Sequence, residues 1–531
     1  MKKILYIMSA ATMLFSINSC SDRFDEIDIN PNQTKSPLSY GIFNSANKEY
    51  MDEMRGSFSS GRVTLPWVQY ASAADYTEDN RYQYRVTYNA TIWALHYRVA
   101  QDYKQIIDLN TNPETANAMS AYGPNVNQIA AARTMLAYVF LNLADTFGDV
   151  PYYSYGNPDP DFQALSINTE LQPKFASQAK IYADILKELG EASAMIITNQ
   201  PVFTQGDVLF RTDANNAGSS SGLKLKKFAN SLRLRVATRV KGVVPGAEAA
   251  ITESIASGLM TSNADNVGVM YEDNLVNPSP MYINLRDRPQ DLAISKPFVN
   301  LLKGTSGNFG LDPRLFQYAT PNNTPKALIL NGTAPVSTNP ADYQGMPYGT
   351  SNAALSSQRP TANFFSKNVY KKNYTELLME YSEVEFLLSE ANGWSQGNYV
   401  NGVTASMEKW GVPAASITSF VGTLPAATKE TVLNQKYVAL FMQPYEAWAE
   451  YRRTGYPNTL LLPGQTANYN VPLPTGETTY IFTSLVPGMT DLPTRLNYPT
   501  TAQSLNRINY EAAAAAIGGD KITTKLIWDK N

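Results

Sequence analysis

Apolar residues recur at intervals of three and four through several segments of this chain, and that spacing constrains the fold more than any other feature. Residues 126–146 place Ile129, Ala132, Leu136, Val139, Phe140 and Leu143 on one stripe, and 173–192 do the same with Phe175, Ala179, Tyr182, Ile185, Leu186 and Leu189. The pattern returns over 223–241 and over 374–394, the latter through Leu377, Tyr381, Val384, Leu388 and Ala391. A stripe must bury itself against a neighbour, so long stripes in succession predict antiparallel helical pairs. Gly148 with Pro151 closes the first helix, and Gly518-Gly519 closes the Ala512–Ala516 run. No stretch alternates strand and helix as a parallel sheet requires. The expected fold class is mainly α. Alanine-rich, TPR-like helix pairs form a scaffold, and the long Pro/Gly/Asn/Thr/Ser-rich stretches 262–290, 304–372 and 455–500 form a loop-rich face.

The N-terminus sets the address. Lys2 and Lys3 precede an apolar run from Ile4 to Phe15, and small Ser19 precedes Cys20, the only cysteine among 531 residues. Ile17-Asn18-Ser19-Cys20 resembles a bacterial lipobox, with Asn18 departing from the small or apolar residue preferred there. Residues 1–19 are read as a lipoprotein signal peptide, Cys20 as the lipidated residue, and 20–37 as a polar, acidic tether. One folded domain is expected over 38–531. Each buried methylene contributes roughly 0.8 kcal/mol, so acyl chains on Cys20 would hold the protein on a membrane. No later apolar run reaches the roughly 18 residues that a spanning helix needs.

Charge and composition narrow the function. With 43 basic and 46 acidic residues the chain carries a formal charge of -3, so nucleic acid is not expected as a partner. The local basic run Lys224, Lys226, Lys227, Arg233, Arg235, Arg239 and Lys241 alternates with apolar residues at helical spacing and reads as a solvated helix face. His96 is the only histidine and lies beside Trp93 and Tyr97, where it reads as packed. One histidine rules out H-E-x-x-H zinc chemistry, and neither a G-x-S-x-G elbow nor a phosphate-binding glycine motif occurs. Asp159-x-Asp161 with Glu170 matches part of a calcium loop, but Ala164 replaces its turn glycine and Ile167 takes a ligand position. A carboxylate pair for glycoside hydrolysis is defined by separation in space, which sequence spacing does not reveal. No cofactor and no metal are expected.

Four phrases carry a further signal. Asp145-Thr146-Phe147-Gly148-Asp149-Val150-Pro151-Tyr152 follows a helix, and Lys227-Phe228-Ala229-Asn230-Ser231-Leu232-Arg233-Leu234-Arg235 opens another. Glu446-Ala447-Trp448 leads to Glu450-Tyr451-Arg452-Arg453-Thr454-Gly455-Tyr456-Pro457. Arg495-Leu496-Asn497-Tyr498-Pro499 precedes Asn509-Tyr510, Gly518-Gly519-Asp520 and Thr524-Lys525-Leu526-Ile527-Trp528-Asp529. With the lipobox and the tether, the chain resembles the SusD-like (SusD/RagB) family of nutrient-binding outer-membrane lipoproteins, from Cys20 to its last residue. The resemblance implies a TPR-like helical fold and a place on the outer membrane, facing the exterior. It also implies a SusC-like TonB-dependent transporter as partner, oligosaccharides or sometimes peptides as ligands, and capture without bond cleavage. The motif residues themselves read as structure: Asp145 and Asp149 as acceptors for backbone around the Gly148 turn, Arg452 and Arg453 as partners of nearby acids.

A sugar site needs an aromatic face against the ring and planar polar groups for vicinal hydroxyls. The best local match is Trp67, Gln69, Tyr70, Tyr76, Arg81, Tyr82 and Tyr84, with Ser72 to Asn80 breaking any helix. A second set combines Tyr282, Asn284 and Arg286 with Tyr343, Gln344 and Tyr348 from the long loops. Packing is the competing reading of both. If they bind ligand, alanine at Trp67, Tyr82 or Tyr348 reduces binding and leaves unfolding nearly unchanged. Two other functions compete with nutrient capture: a surface glycan-degrading enzyme, and a TPR-like adaptor that binds only proteins.

Overall fold

The computed structural model describes residues 37–83, 85–166, 168–211, 220–288 and 291–529. Cys20, the leader, most of the tether, Tyr84 and Ile167 lie outside the described residues.

Helices α1 (Ser39–Met54), α2 (Val86–Thr111), α3 (Asn125–Phe147), α4 (Gln178–Met195), α5 (Ser221–Arg239) and α6 (Ala247–Ala256) follow one another, each packed on the next. This is the succession of helical pairs that the apolar stripes require. Ser177 caps α4 through the Lys180 amide and Ser220 caps α5 through the Leu223 amide. Gly148, at φ 91°, ends α3 in a conformation that a side chain would strain. Helices α7 (Tyr381–Ala391), α8 (Gln396–Lys409) and α9 (Lys429–Ala439) form a second cluster, with α7 resting on α5. Helix α10 (Pro444–Thr454) follows, and α11 (Arg507–Ala516) ends before Gly518-Gly519.

Two boundaries differ from the sequence reading. Residues 173–177 are not helical: Phe175 instead packs on Trp93 and Tyr498. Residues 375–379 form strand β4 (Thr375–Met379), antiparallel to β2 (Val267–Met270), and the helix begins only at Tyr381. Apolar spacing is satisfied by either structure over so short a stretch, and pairing with a distant strand decided it. The other pairs are β1 (Ala71–Ala73) with β3 (Leu292–Ile294), and β5 (Thr466–Asn468) with β6 (Thr479–Ile481).

The basic run on α5 is a solvated face only in part: Lys224, Lys226, Lys227 and Arg233 are half-buried and Lys241, just past the helix, is exposed. Arg235 and Arg239 are buried because α5 is covered on several sides by neighbouring helices. Arg235 Nε donates to Glu383 at 2.7 Å, while Arg239 pairs with both Asp145 and Glu446. Arg453 holds Glu390 at 2.8 Å and Glu450 at 2.8 Å, and Lys436 reaches Glu450 at 2.7 Å. Asp145 therefore meets side chains, not turn backbone, and also accepts from Tyr182 Oη at 2.6 Å. Asp149 accepts from the Gln178 amide at 2.9 Å. Arg452 departs from its expected acid partner: it donates to the carbonyls of Asp145 and Thr494, each at 2.7 Å, and lies 3.7 Å above the Trp448 ring. Arg495 donates to the Phe147 carbonyl at 3.0 Å, and the Trp528 indole donates to Tyr182 Oη at 2.7 Å. The four phrases thus converge on one buried polar junction that locks the C-terminal segment onto the helical scaffold.

His96 is packed as expected. Its Nδ1 lies 2.7 Å from the Ile92 carbonyl, its Nε2 lies 3.2 Å from Tyr50 Oη, and burial lowers it to about 4. Glu376 on β4 is a different case, since both carboxyl oxygens are buried without a hydrogen bond and Arg55 Nε stands 3.8 Å away. Burial, partly offset by Arg55, pushes its carboxyl up to about 8 from an ordinary 4.5. The folded chain then holds a proton that the unfolded chain releases, so stability falls as pH rises from 4.5 toward 8. Glu376→Gln keeps the shape without the ionisation. It should stabilise the protein by roughly 3 kcal/mol near pH 7 and change little near pH 4.5, in urea unfolding at the two pH values. An equal effect at both would mean that ionisation is not the cause.

Candidate ligand-binding cleft

The segment after α1 descends through Ser60–Thr64 and Leu65–Trp67 into β1, then turns back over residues 74–83. Its apolar side is sealed into the core. Trp67 is 0% exposed and meets Trp448 edge to face at 5.3 Å. Gln69 is consumed by backbone: its Nε2 donates to the Leu461 carbonyl at 2.7 Å and its Oε1 accepts from the Leu461 amide at 2.9 Å. Tyr70 stacks on Tyr437 at 4.6 Å. Tyr82 and Tyr348 are both buried against Phe482, with ring centroids 5.6 and 5.4 Å away. Tyr343 is buried and donates to the Ser337 carbonyl at 2.8 Å. The expectation that these six side chains present a ligand face is corrected, because burying a large ring outweighs wetting it. Asn284 is buried too.

The remaining expected residues are accessible but dispersed. Arg81 donates to the Thr483 carbonyl at 3.1 Å, and Arg286 closes on its neighbour Asp287 at 2.7 Å. Tyr282 is half-buried at the start of the helix Pro280–Asp287. Tyr76 stands out: its ring is 61% exposed and its backbone sits at φ 60°, a left-handed conformation that costs a bulky residue of order 1–3 kcal/mol.

That conformation is held from several sides. The Thr77 amide and Oγ1 both donate to Asn352 Oδ1, at 2.9 and 3.0 Å, and Asn352 Nδ2 donates to Glu78 at 2.7 Å. Asn80 accepts from the Ala73 amide at 3.1 Å, and Arg359 Nε donates to the Ala74 carbonyl at 3.0 Å. The turn is therefore a stapled platform carrying one exposed ring.

Tyr76 opens onto a cleft of about 620 Å³, lined by Phe58, Arg62, Tyr76, Glu78, Asp79, Gln83, Arg85, Tyr88 and Arg288. Arg62 lies 5.6 Å from the Tyr76 ring centre and donates to Asp79 at 3.1 Å and Asp291 at 2.8 Å. Arg288 lies 5.6 Å from the Phe58 ring, whose other neighbour is Tyr88 at 5.6 Å. Burial, countered by Arg62, raises the Asp79 carboxyl to about 6. Aromatic faces beside guanidinium, carboxylate and amide groups are the chemistry that a polyhydroxylated ring requires. A groove of about 490 Å³ around Trp93, Phe175, Leu171 and Leu505 is mainly apolar and lacks that density of planar polar groups. Of the residues singled out in the sequence, only Tyr76 lines the cleft. Phe58, Arg62, Glu78, Asp79, Gln83, Arg85, Tyr88 and Arg288 were missed, although all but Arg288 lie in or beside the aromatic-rich segment.

The acidic run reads differently in three dimensions. Lys180 Nζ reaches Asp159 at 3.1 Å and Asp161 at 2.6 Å, occupying the oxygens a calcium ion would need. Among the described residues no group of three His, Cys, Asp or Glu side chains could hold a metal ion. No helix among them is long and apolar enough to cross a membrane.

Residues 31–477 match the SusD-like family described as starch-binding associating with outer membrane, and 426–529 match the SusD and RagB outer membrane lipoprotein family. No curated protein matches the sequence. Among solved structures, a protein described as chitin-binding is 24% identical, with TM-score 0.70 over 93% of this chain and 100% of its own. A SusD homologue from Parabacteroides distasonis is 22% identical, with TM-score 0.69 over 93% and 98%. A chitin-binding SusD homologue from Flavobacterium johnsoniae is 19% identical, with TM-score 0.67 over 93% and 99%.

Proposed function

We propose that this chain, which belongs to the SusD-like family, captures oligosaccharides at the cell surface and delivers them to a SusC-like TonB-dependent transporter, making and breaking no bond. The signal peptide 1–19, lipidation of Cys20 and a single domain over 38–531 are part of the proposal, with the lipid as the only membrane attachment. The observation that carries the ligand class is the Tyr76 platform: an exposed ring, fixed by side-chain bonds, above a cleft of polar planar groups. The chitin-binding description of two structural neighbours favours a glycan over a peptide.

The test is a binding screen of the chain begun after Cys20 against plant, host and microbial glycans, with product analysis of each positive. Tyr76→Ala should weaken the ligand found by tenfold or more, about 1.4 kcal/mol, with an unchanged unfolding midpoint. Tyr76→Gly should lose binding equally and unfold no earlier, because glycine accepts the left-handed backbone. Unchanged affinity in both variants would move the site elsewhere. Cleaved products would return the enzyme reading, and a purified transporter complex without glycan affinity would favour the adaptor.

A further inference from the structure

A separate pocket of about 380 Å³ lies where the loop before β4 meets the end of α8. Its walls include Tyr374, Thr375 and Trp410, and two lysines, Lys371 and Lys409, belong to its lining. Lys409 Nζ is 2.6 Å from Glu380 and 5.0 Å above the Trp410 ring. Glu380 is shared further, since its other oxygen accepts from Gln443 Nε2 at 3.1 Å. Lys371 is exposed at the rim and, among the described residues, forms no ion pair. Desolvation and the neighbouring Lys409 charge both lower its pKa. The Trp410 side chain is 7% exposed, and its indole Nε1–H is buried with no acceptor. Two lysines thus line one pocket whose single ion-paired carboxylate, Glu380, is taken by Lys409, which leaves the Lys371 ammonium without an acidic partner among the described residues.

We infer that this pocket is a second ligand site, taking a compact organic carboxylate of uronic-acid size, its carboxylate between Lys371 and Lys409 and its body against Tyr374 and Trp410. A carboxylate balances the lysine that Glu380 leaves unpaired, and its four lone-pair directions suit two ammonium groups and the Thr375 hydroxyl. The site shares no lining residue with the Tyr76 cleft, so it stands independently of the capture reading.

The probes are D-glucuronate and D-galacturonate, titrated into the chain begun after Cys20 at about 0.15 M salt, where non-specific attraction is screened. Tryptophan fluorescence and calorimetry read the binding, with glucose as the neutral counterpart. Saturable binding of a uronate but not of glucose is expected. Lys371→Gln should weaken it at least tenfold with an unchanged unfolding midpoint, Lys371→Glu should abolish it, and Tyr76→Ala should leave it intact. Silence with both uronates, equal binding of glucose, or full affinity in Lys371→Gln would each overturn the proposal. Loss of uronate binding in Tyr76→Ala would overturn it too, by placing the carboxylate in the other cleft.

Discussion

Arg239→Met should cost roughly 3–5 kcal/mol and unfold at a clearly lower urea concentration than the parent, because it strips away the buried cation that two buried acids share. Arg239 is fully buried, paired to Asp145 on α3 and Glu446 on α10, with the Trp528 ring 5.7 Å from its guanidinium. After the substitution Asp145 keeps only the Tyr182 hydroxyl among these partners, and Glu446 keeps Arg235 at 3.5 Å. Methionine fills much of the volume, so the loss reports charge and hydrogen bonding more than a cavity. Arg239→Lys should fall between the two, since one ammonium does not reproduce the fork that reaches both acids. Urea unfolding followed by tryptophan fluorescence checks this, with Trp448 and Trp528 beside the junction. A midpoint equal to the parent's would mean that the network is dispensable and that packing alone holds the C-terminal segment.

Trp67→Ala should destabilise by a similar 3–5 kcal/mol, the cost of removing a fully buried indole and leaving its cavity. This reverses the expectation drawn from the aromatic-rich sequence, under which the same change reduces ligand binding without unfolding. The indole is fully buried against Trp448, and β1 begins four residues later, so the turn carrying Tyr76 rests on it. Thermal unfolding and glycan binding measured on the same samples separate the readings. The expected result is a large fall in the unfolding midpoint, with binding lost only in step with folded protein. A stable protein that has lost its ligand would put Trp67 back in the site.

The scaffold was legible because it is written locally. The stripe over 126–146 and the Gly148 stop reproduce α3 closely, since a helix's bonding and its buried face both arise within one segment. The 374–394 stripe failed at its first residues, where Val267–Met270 supplies the backbone partners that make Thr375–Met379 a strand. Arg235 and Arg239 were misread for a related reason. Nothing in α5 announces that Glu383 and Glu446, more than a hundred residues away, complete its charges. The cleft was only partly legible: Tyr76 was named, while Arg288 comes from a distant loop and Phe58 and Tyr88 bracket the chosen segment.

A mainly helical fold, an expected lipobox at Cys20 and the four phrases that resemble its family are written in the chain as a linear text. These follow from composition, order and short-range periodicity, and folding cannot alter them. Which aromatic rings face solvent was settled by packing in three dimensions. In 67–83 the same residue types occupy core and cleft, and neighbours brought from positions 291, 352, 437, 448 and 482 choose between them. Burial depends on what the rest of the chain packs against a ring, and that is a property of the assembled fold.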